Sequence, residues 1–181
     1  MEELALHILD IAENSIRARA RNIEICIEED LEKDRLRIVI RDDGEGMDEV
    51  ARQRILDPFY TTKESKRVGL GLPLLADAAR RAGGEITVRS QPGQGTEIVA
   101  TFQHSHMDRQ PLGDMDKTVE TLIIGNPEVE FVFAGHGPAG KWWLDTRPIK
   151  KALRNVPISS GEGIRMIREI LKAQGYGQTG G

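Results

Sequence analysis

The chain is poor in several residue types and patterns, and each shortage excludes something. It holds one cysteine, Cys26, so no internal disulfide can form; its place in an alternating run predicts a buried, inert thiol. Aromatic residues are scarce at 4%, and Phe131, Trp142 and Trp143, in strand-like runs, are expected in the core. No apolar stretch approaches the ~18 residues that span a bilayer, and no signal peptide opens the chain. A soluble, cytoplasmic protein with no membrane partner is therefore expected. Neither sign of charge dominates. The net charge is −4, and the basic cluster Arg17, Arg19 and Arg21 is followed by Glu28, Glu29 and Asp30, so no electrostatic footprint for nucleic acid exists. There is no internal repeat. What is present is ordinary globular composition, 39% hydrophobic and 30% charged, over 181 residues, enough for one domain plus a small appendage.

Hydrophobic periodicity predicts a helix over residues 2–20, with Leu4, Ile8, Leu9, Ile11, Ala12 and Ile16 on one side. His7, Asp10 and Asn14 share another face of it. Residues 22–27 and 36–40 alternate as strands joined by a polar hairpin. A short helix is expected from Asp48 to about Leu56, where Asp57-Pro58 ends it. Residues 60–69 read as a loop, and Leu70 to Ala82 as a helix stopped by Gly83-Gly84. Strands follow over 85–90 and 96–103, around a Pro-Gly-Gln-Gly turn. Composition shifts after His104. Residues 118–124 and 129–134 read as strands, or as strand and helix, and 141–144 as a further strand. Ser160 caps a last amphipathic helix, and a disordered tail is expected from about residue 175. The expected organisation is a domain over 1–104 and a small α/β extension over 105–181.

Three segments carry chemistry. Asp42-Asp43-Gly44-Glu45-Gly46 ends a strand with a carboxylate that can accept a hydrogen bond from an exocyclic amine. Gly44 and Gly46 let the backbone turn and a flat base approach, which suits adenine, although the same pattern serves plain turns and cation loops. Gly69 and Gly71 stand at a helix start, where free N–H groups and the helix dipole favour phosphate, and Lys63 can add a point charge, although glycines at a helix start also serve as plain packing devices. In the first helix, Asn14 offers a hard amide oxygen suited to Mg²⁺, with Asp10 one turn earlier placed to orient a water or hydroxyl. A polar solvent-facing stripe is the alternative reading of that helix.

The order of these parts resembles the Bergerat-fold (GHKL) ATP-binding family of sensor histidine kinases, mismatch-repair ATPases and type II topoisomerase ATPase domains. Residues 10–18 (Asp-Ile-Ala-Glu-Asn-Ser-Ile-Arg-Ala) look like its N box, and Arg41 to Met47 like its G1 box. Asp57-Pro58-Phe59-Tyr60-Thr61-Thr62-Lys63 looks like the F box of histidine kinases, Gly69-Leu70-Gly71-Leu72 like G2, and Gly93-Gln94-Gly95-Thr96 like the adenine-side threonine motif. The resemblance covers about residues 4–103. It implies a two-layer α/β sandwich, with a mixed, mostly antiparallel sheet and helices on one face, that binds ATP and Mg²⁺. Asn14 would hold the metal. Asp42 would receive the adenine amine with help from Thr96, and Gly44, Gly46 and Met47 would shape the base pocket. Lys63, Gly69, Leu70 and Gly71 would line the phosphates under a lid of residues 60–69, with Asp10 and Lys63 as catalytic groups.

The pattern departs from the family in places. Asp10 stands where mismatch-repair relatives have a hydrolytic glutamate. Arg67 stands where the glycine stretch usually begins, either clamping phosphate or as a solvated lid residue. Only a few residues precede the N box, so a hairpin carrying a phosphoacceptor histidine is not expected, and His7 is read as structural or pocket-adjacent. His104, His106 and Asp108 read as a strand-end loop in preference to a metal site. The expected function is a stand-alone ATP-dependent protein kinase acting on a histidine or serine of a separate protein. The alternative is an ATP-driven switch or slow ATPase regulating a partner. A homodimer is compatible with either.

Overall fold

The computed structural model describes residues 2–57 and 71–174. The expected lid over 60–69, Lys63, Arg67, Gly69, Leu70 and the tail from 175 lie outside the described residues. Twelve elements are described: α1 (Leu4–Arg17), β1 (Asn22–Asp30), β2 (Arg35–Asp42), α2 (Glu49–Arg54), α3 (Gly71–Arg81), β3 (Ile86–Gln91), β4 (Gly95–Gln103), α4 (Met115–Gly125), β5 (Glu130–Gly137), β6 (Gly140–Asp145), α5 (Thr146–Leu153) and α6 (Gly161–Ala173). The strands form one six-stranded sheet in the order β3-β4-β2-β1-β5-β6. Only the β1–β5 pair is parallel; the other pairs are antiparallel. This is the mixed α/β sheet that the resemblance implies.

Alternation along each strand divides the sheet into two unlike faces. One face carries successive cross-strand rows such as Val88–Ile98–Ile40–Ile25–Phe133–Leu144, and all six of these side chains are buried. On this side α3, α1, α4 and α6 lie in sequence, each touching the next. The stacked rings of Phe131 and Phe133 anchor the β5 part of the core. The other face holds a charged row, Arg89–Glu97–Arg41–Glu24, in which Arg41 reaches Glu97 at 2.6 Å and Glu24 at 3.2 Å. Beside it runs a row of Thr87, Val99, Val39, Cys26, Ala134 and Trp143.

Helix α1 forms because Leu4, Ile8, Ile11 and Ala12 recur at helical spacing toward the core. Glu3, its N-cap, makes no side-chain cap. Instead its first two N–H groups donate to the carbonyls of Pro111 and Leu112, at 3.0 and 2.8 Å. The loop beyond β4 therefore closes the start of the first helix. Ser160 caps α6 through the Gly163 N–H, as its position predicts. At the outer edge of the sheet, the Gln174 side-chain amide pairs with both the N–H and the C=O of Trp143 in β6.

Several expectations are corrected. Residues 118–124 are helical, within α4, because Met115, Val119, Leu122 and Ile123 bury one stripe of a 3.6-residue repeat; their β-branched content had suggested a strand. Helix α5 was not anticipated. Cys26 lies half-buried on the open face, not in the core, although burial and then Glu28 do push its thiol upward, in keeping with inertness. Trp143 is 52% exposed on the same face, while Phe131 is fully buried and Trp142 packs against the core. No described helix is long and apolar enough to cross a membrane.

Candidate nucleotide site

The last row of the core face is polar where the inner rows are apolar. Ser90, Thr96 and Asp42 stand opposite one another on β3, β4 and β2, and Ile23 follows on β1. Asp42 is half-buried. Its Oδ1 accepts the Gly44 N–H at 2.9 Å and its Oδ2 the Ser15 hydroxyl at 2.6 Å. Two donors fix the carboxylate plane and leave lone pairs facing out of the row. Ser90 accepts the Met47 N–H at 2.8 Å and donates to Gly95 O at 2.9 Å, so its 2.9 Å contact with Thr96 takes the Thr96 proton. Ser15 and Ser90 thus orient the two groups singled out in the sequence. The row also borders a shallow depression of about 580 Å³, but Arg41, Arg89 and Glu97 of the charged face and Glu49 and Arg52 of α2 make much of its lining, and Asp10, Asn14 and Gly71 do not touch it.

The turn after β2 is held from both sides. Glu45 N donates to Ala18 O at 2.8 Å, and Gly93 N donates to Glu45 O at 2.7 Å. Gly46 has φ +68°, and a Cβ there would fall 2.0 Å from Gln91 O, so only glycine closes this turn. Met47 is half-buried and packs against the core. Asp43 faces away and binds Arg21 N, Asn22 N and the Asn22 amide, all within 2.8 Å. Burial works to raise the Asp43 carboxyl, but the hydrogen bonds from Asn22 and Arg21 outweigh it and hold the group below its ordinary range.

Asp10 and Asn14 lie one turn apart on α1, both half-buried. Gly71, buried, is the first residue of α3 and sits against Asp10: a Cβ on it would come within 2.6 Å of the Asp10 Cβ. The positive end of α3 therefore abuts the Asp10 carboxylate. Asn14 Oδ1 accepts from the exposed Arg17 guanidinium. The amide oxygen is thus aimed at a cation in this structure, held by a long side chain that can swing into solvent.

Other sequence candidates fall elsewhere. His7 is 2% exposed and bonds Gln110 at 3.0 Å, which makes it structural. His104 pairs with Glu29 at 2.8 Å, and no cluster among the described residues gathers three groups able to hold a metal. A Mg²⁺ at Asn14 would therefore depend on phosphate oxygens and water for most of its shell, which is how this ion is usually held beside nucleotides.

A mixed sheet with one helix-covered face and a polar end row tied to the first helix through Ser15 and Asp42 makes an α/β domain with a candidate ligand site at one end. Residues 2–106 match the model of the histidine kinase-, DNA gyrase B- and HSP90-like ATPase family, and the chain belongs to that ATP-binding family. It is similar to the alginate biosynthesis sensor protein KinB of Pseudomonas aeruginosa, 37% identical over 90 residues, which are 49% of this chain and 15% of that protein. Sporulation kinase E of Bacillus subtilis is 38% identical over 96 residues, 52% of this chain and 13% of that protein. The chain thus spans a small part of these relatives, and the similarity is to the ATP-binding portion of histidine kinases. A solved structure described as the N-terminal domain of a DNA repair protein shares the fold, with a TM-score of 0.57 at 18% identity over 91% of this chain and 59% of that one.

Proposed function

We infer that the chain binds ATP with Mg²⁺ and transfers the γ-phosphoryl group to a histidine or serine of a separate protein. The observation that supports the reading is the polar row Ser90–Thr96–Asp42 at the sheet end, tied to α1 by the Ser15–Asp42 hydrogen bond, with Asn14 next to Ser15 in that helix and the start of α3 against Asp10. Asp42 accepts the adenine amine, its carboxylate held by Ser15 and Gly44. Thr96 supports the base, Gly44, Gly46 and Met47 shape its pocket, and the N–H groups of Gly71 and the α3 start meet phosphate. Lys63, Arg67, Gly69 and Leu70 complete the phosphate side in this proposal. Mg²⁺, held by Asn14 and the phosphates, would neutralise charge on the triphosphate. The acceptor nitrogen or oxygen bonds to the γ-phosphorus as the bond to ADP breaks. Positioning and charge compensation do most of the work in such transfers.

One observation favours a second reading, a slow ATPase or ATP-driven switch. Asp10 stands against the α3 start, where a carboxylate can take a proton from an attacking water. Incubation with γ-labelled ATP separates the two. Label on a co-purified or neighbouring protein supports the kinase; free phosphate alone supports hydrolysis. The pocket itself is tested by Asp42→Asn with magnesium–ATP calorimetry. Replacing the carboxylate leaves an acceptor but adds a donor against the adenine amine. Affinity is expected to fall about ten- to a hundredfold, the usual cost of a lost charged hydrogen bond. Unchanged affinity would remove the basis of the assignment.

A further inference from the structure

Among the described residues, the helices dress the sheet on one side. α1, α3, α4 and α6 cover the core face, Ile149 and Leu153 of α5 join the same core, and α2 skirts the β3 margin, where Arg52 donates to Val88 O at 3.3 Å. The opposite face has a layout of its own. Its middle row, Thr87–Val99–Val39–Cys26–Ala134–Trp143, crosses every strand without a charge. Val39 is 1% exposed yet stands outside the cluster that the helices close, and Trp143 is 52% exposed. A charged row runs on either side: Arg89, Glu97, Arg41 and Glu24 on one, and Arg37, Glu28, His136 and Lys141 on the other. The two middle strands carry opposite signs. β2 brings Arg37 and Arg41, and β1 sets Glu28 and Glu24 beside them, at 3.0 and 3.2 Å.

That pattern is its own complement. Two sheet faces stack about 10 Å apart with their strands nearly aligned. A two-fold axis along the strands, between β1 and β2, lays β2 of one copy over β1 of the other, β4 over β5 and β3 over β6. Arg41 then faces Glu24 of the second copy, and Arg37 faces its Glu28. In the middle row Val39 meets Cys26, Val99 meets Ala134, and Thr87 meets Trp143, so the one bulky side chain falls opposite a short one. Other axes fail on charge. One centred on β2 sets Arg37 and Arg41 against themselves, and one centred on β1 does the same to Glu24 and Glu28. An axis along the middle row stacks Arg41 on Arg37 and Glu24 on Glu28. Like charges in such positions oppose association.

We propose that this face joins two copies of the chain, sheet on sheet, in an isologous dimer whose axis runs between β1 and β2. The pairs within each chain are kept, and Arg37 and Arg41 each gain a second carboxylate from the other copy. Six strands and three rows, at ordinary sheet spacings, give a face of about 600 Å² per copy and about 1,200 Å² in all, at the lower edge of stable interfaces. A closed two-fold consumes the face in both copies and leaves no second surface to propagate. The Ser90–Thr96–Asp42 row lies on the other side of the sheet, so the inference does not rest on the nucleotide assignment.

The test is sedimentation equilibrium of the full chain over about 1 to 500 µM, where a reversible dimer with a dissociation constant of about 1–100 µM is expected for an interface of this size. Ala134→Lys, at a half-buried position, should raise that constant about a hundredfold, because the ammonium would be shut against Val99 of the second copy without a counter-charge. Trp143→Ala should raise it about tenfold by removing an aromatic anchor. Leu6→Lys, 52% exposed on α1, should leave it unchanged, and far-UV circular dichroism shows that each variant is folded. Geometry is read by a short bismaleimide in a Cys26→Ser background. Thr87→Cys and Trp143→Cys chains should crosslink when mixed, while neither crosslinks with itself, because the two positions lie at opposite margins of the sheet. A monomer throughout the range would overturn the proposal and leave the face to a partner of another sequence. A dimer broken by Leu6→Lys but indifferent to Ala134→Lys would overturn it by assigning association to the helical side. Self-crosslinking as strong as that of the mixture would overturn the two-fold.

Discussion

At the scale of single residues, the candidate nucleotide site depends on two serines as much as on Asp42 and Thr96. Ser15 holds one carboxylate oxygen of Asp42 at 2.6 Å. Ser15→Ala should leave the fold intact and weaken ATP about three- to tenfold, since one ordinary hydrogen bond is lost; calorimetry beside wild type measures it. Asp43 gives a pH signature. Its folded-state value is depressed, so its contribution is complete above about pH 4 and disappears as pH falls through the lower folded value. Asp43→Asn should flatten the acid limb of a stability-against-pH curve, modestly because the group is exposed, and leave neutral-pH binding of ATP unchanged. Asp42, Asn14 and Gly46 were legible from motif spacing. Ser90 carries no motif of its own, yet strand register places it. The turn at 92–94 sets Gln91 opposite Gly95 and therefore Ser90 opposite Thr96. Ser15 was visible only as a neighbour of Asn14, and nothing in one dimension says that it meets residue 42.

At the scale of elements, the β3–β4 turn and the turn after β2 lock each other. Gly95 has φ +80°, and a Cβ there would lie 1.9 Å from Asp42 O. Gly95→Ala should destabilise the protein by more than about 2 kcal/mol, combining strain with a backbone clash, and should reduce ATP affinity by displacing the Asp42 row; denaturant titration and calorimetry check the two parts. The strands of the family-like region were readable because each alternates. The later helices were harder. In α4 the run Thr-Val-Glu-Thr-Leu-Ile-Ile is β-branched and nearly continuous, so propensity pointed to a strand while burial follows a helical repeat. α5 lacks a long enough period to be seen, spanning eight residues with Thr146, Ile149 and Leu153 inward. Trp143 cannot share the core with Trp142, because adjacent residues of a strand face opposite ways and Trp142 and Leu144 take the core side.

At the scale of the molecule, the sequence suggested a boundary near residue 104, while the sheet runs through it. β5 lies beside β1, and Phe131 and Phe133 share a core with α1 and β2. We expect one cooperative unfolding transition. Phe133→Ala, at a fully buried ring, should cost about 3–5 kcal/mol and shift intrinsic fluorescence and ATP binding together. Two separable transitions would restore the two-part view.

The Gln174 amide against Trp143 has a consequence for association between copies. A strand at the margin of a sheet presents a row of unused donors and acceptors that invites a neighbouring chain to zip alongside. By offering one C=O and one N–H in register, Gln174 acts as a one-residue counterfeit strand at the middle of β6, so an incoming extended segment would have to evict it before pairing there.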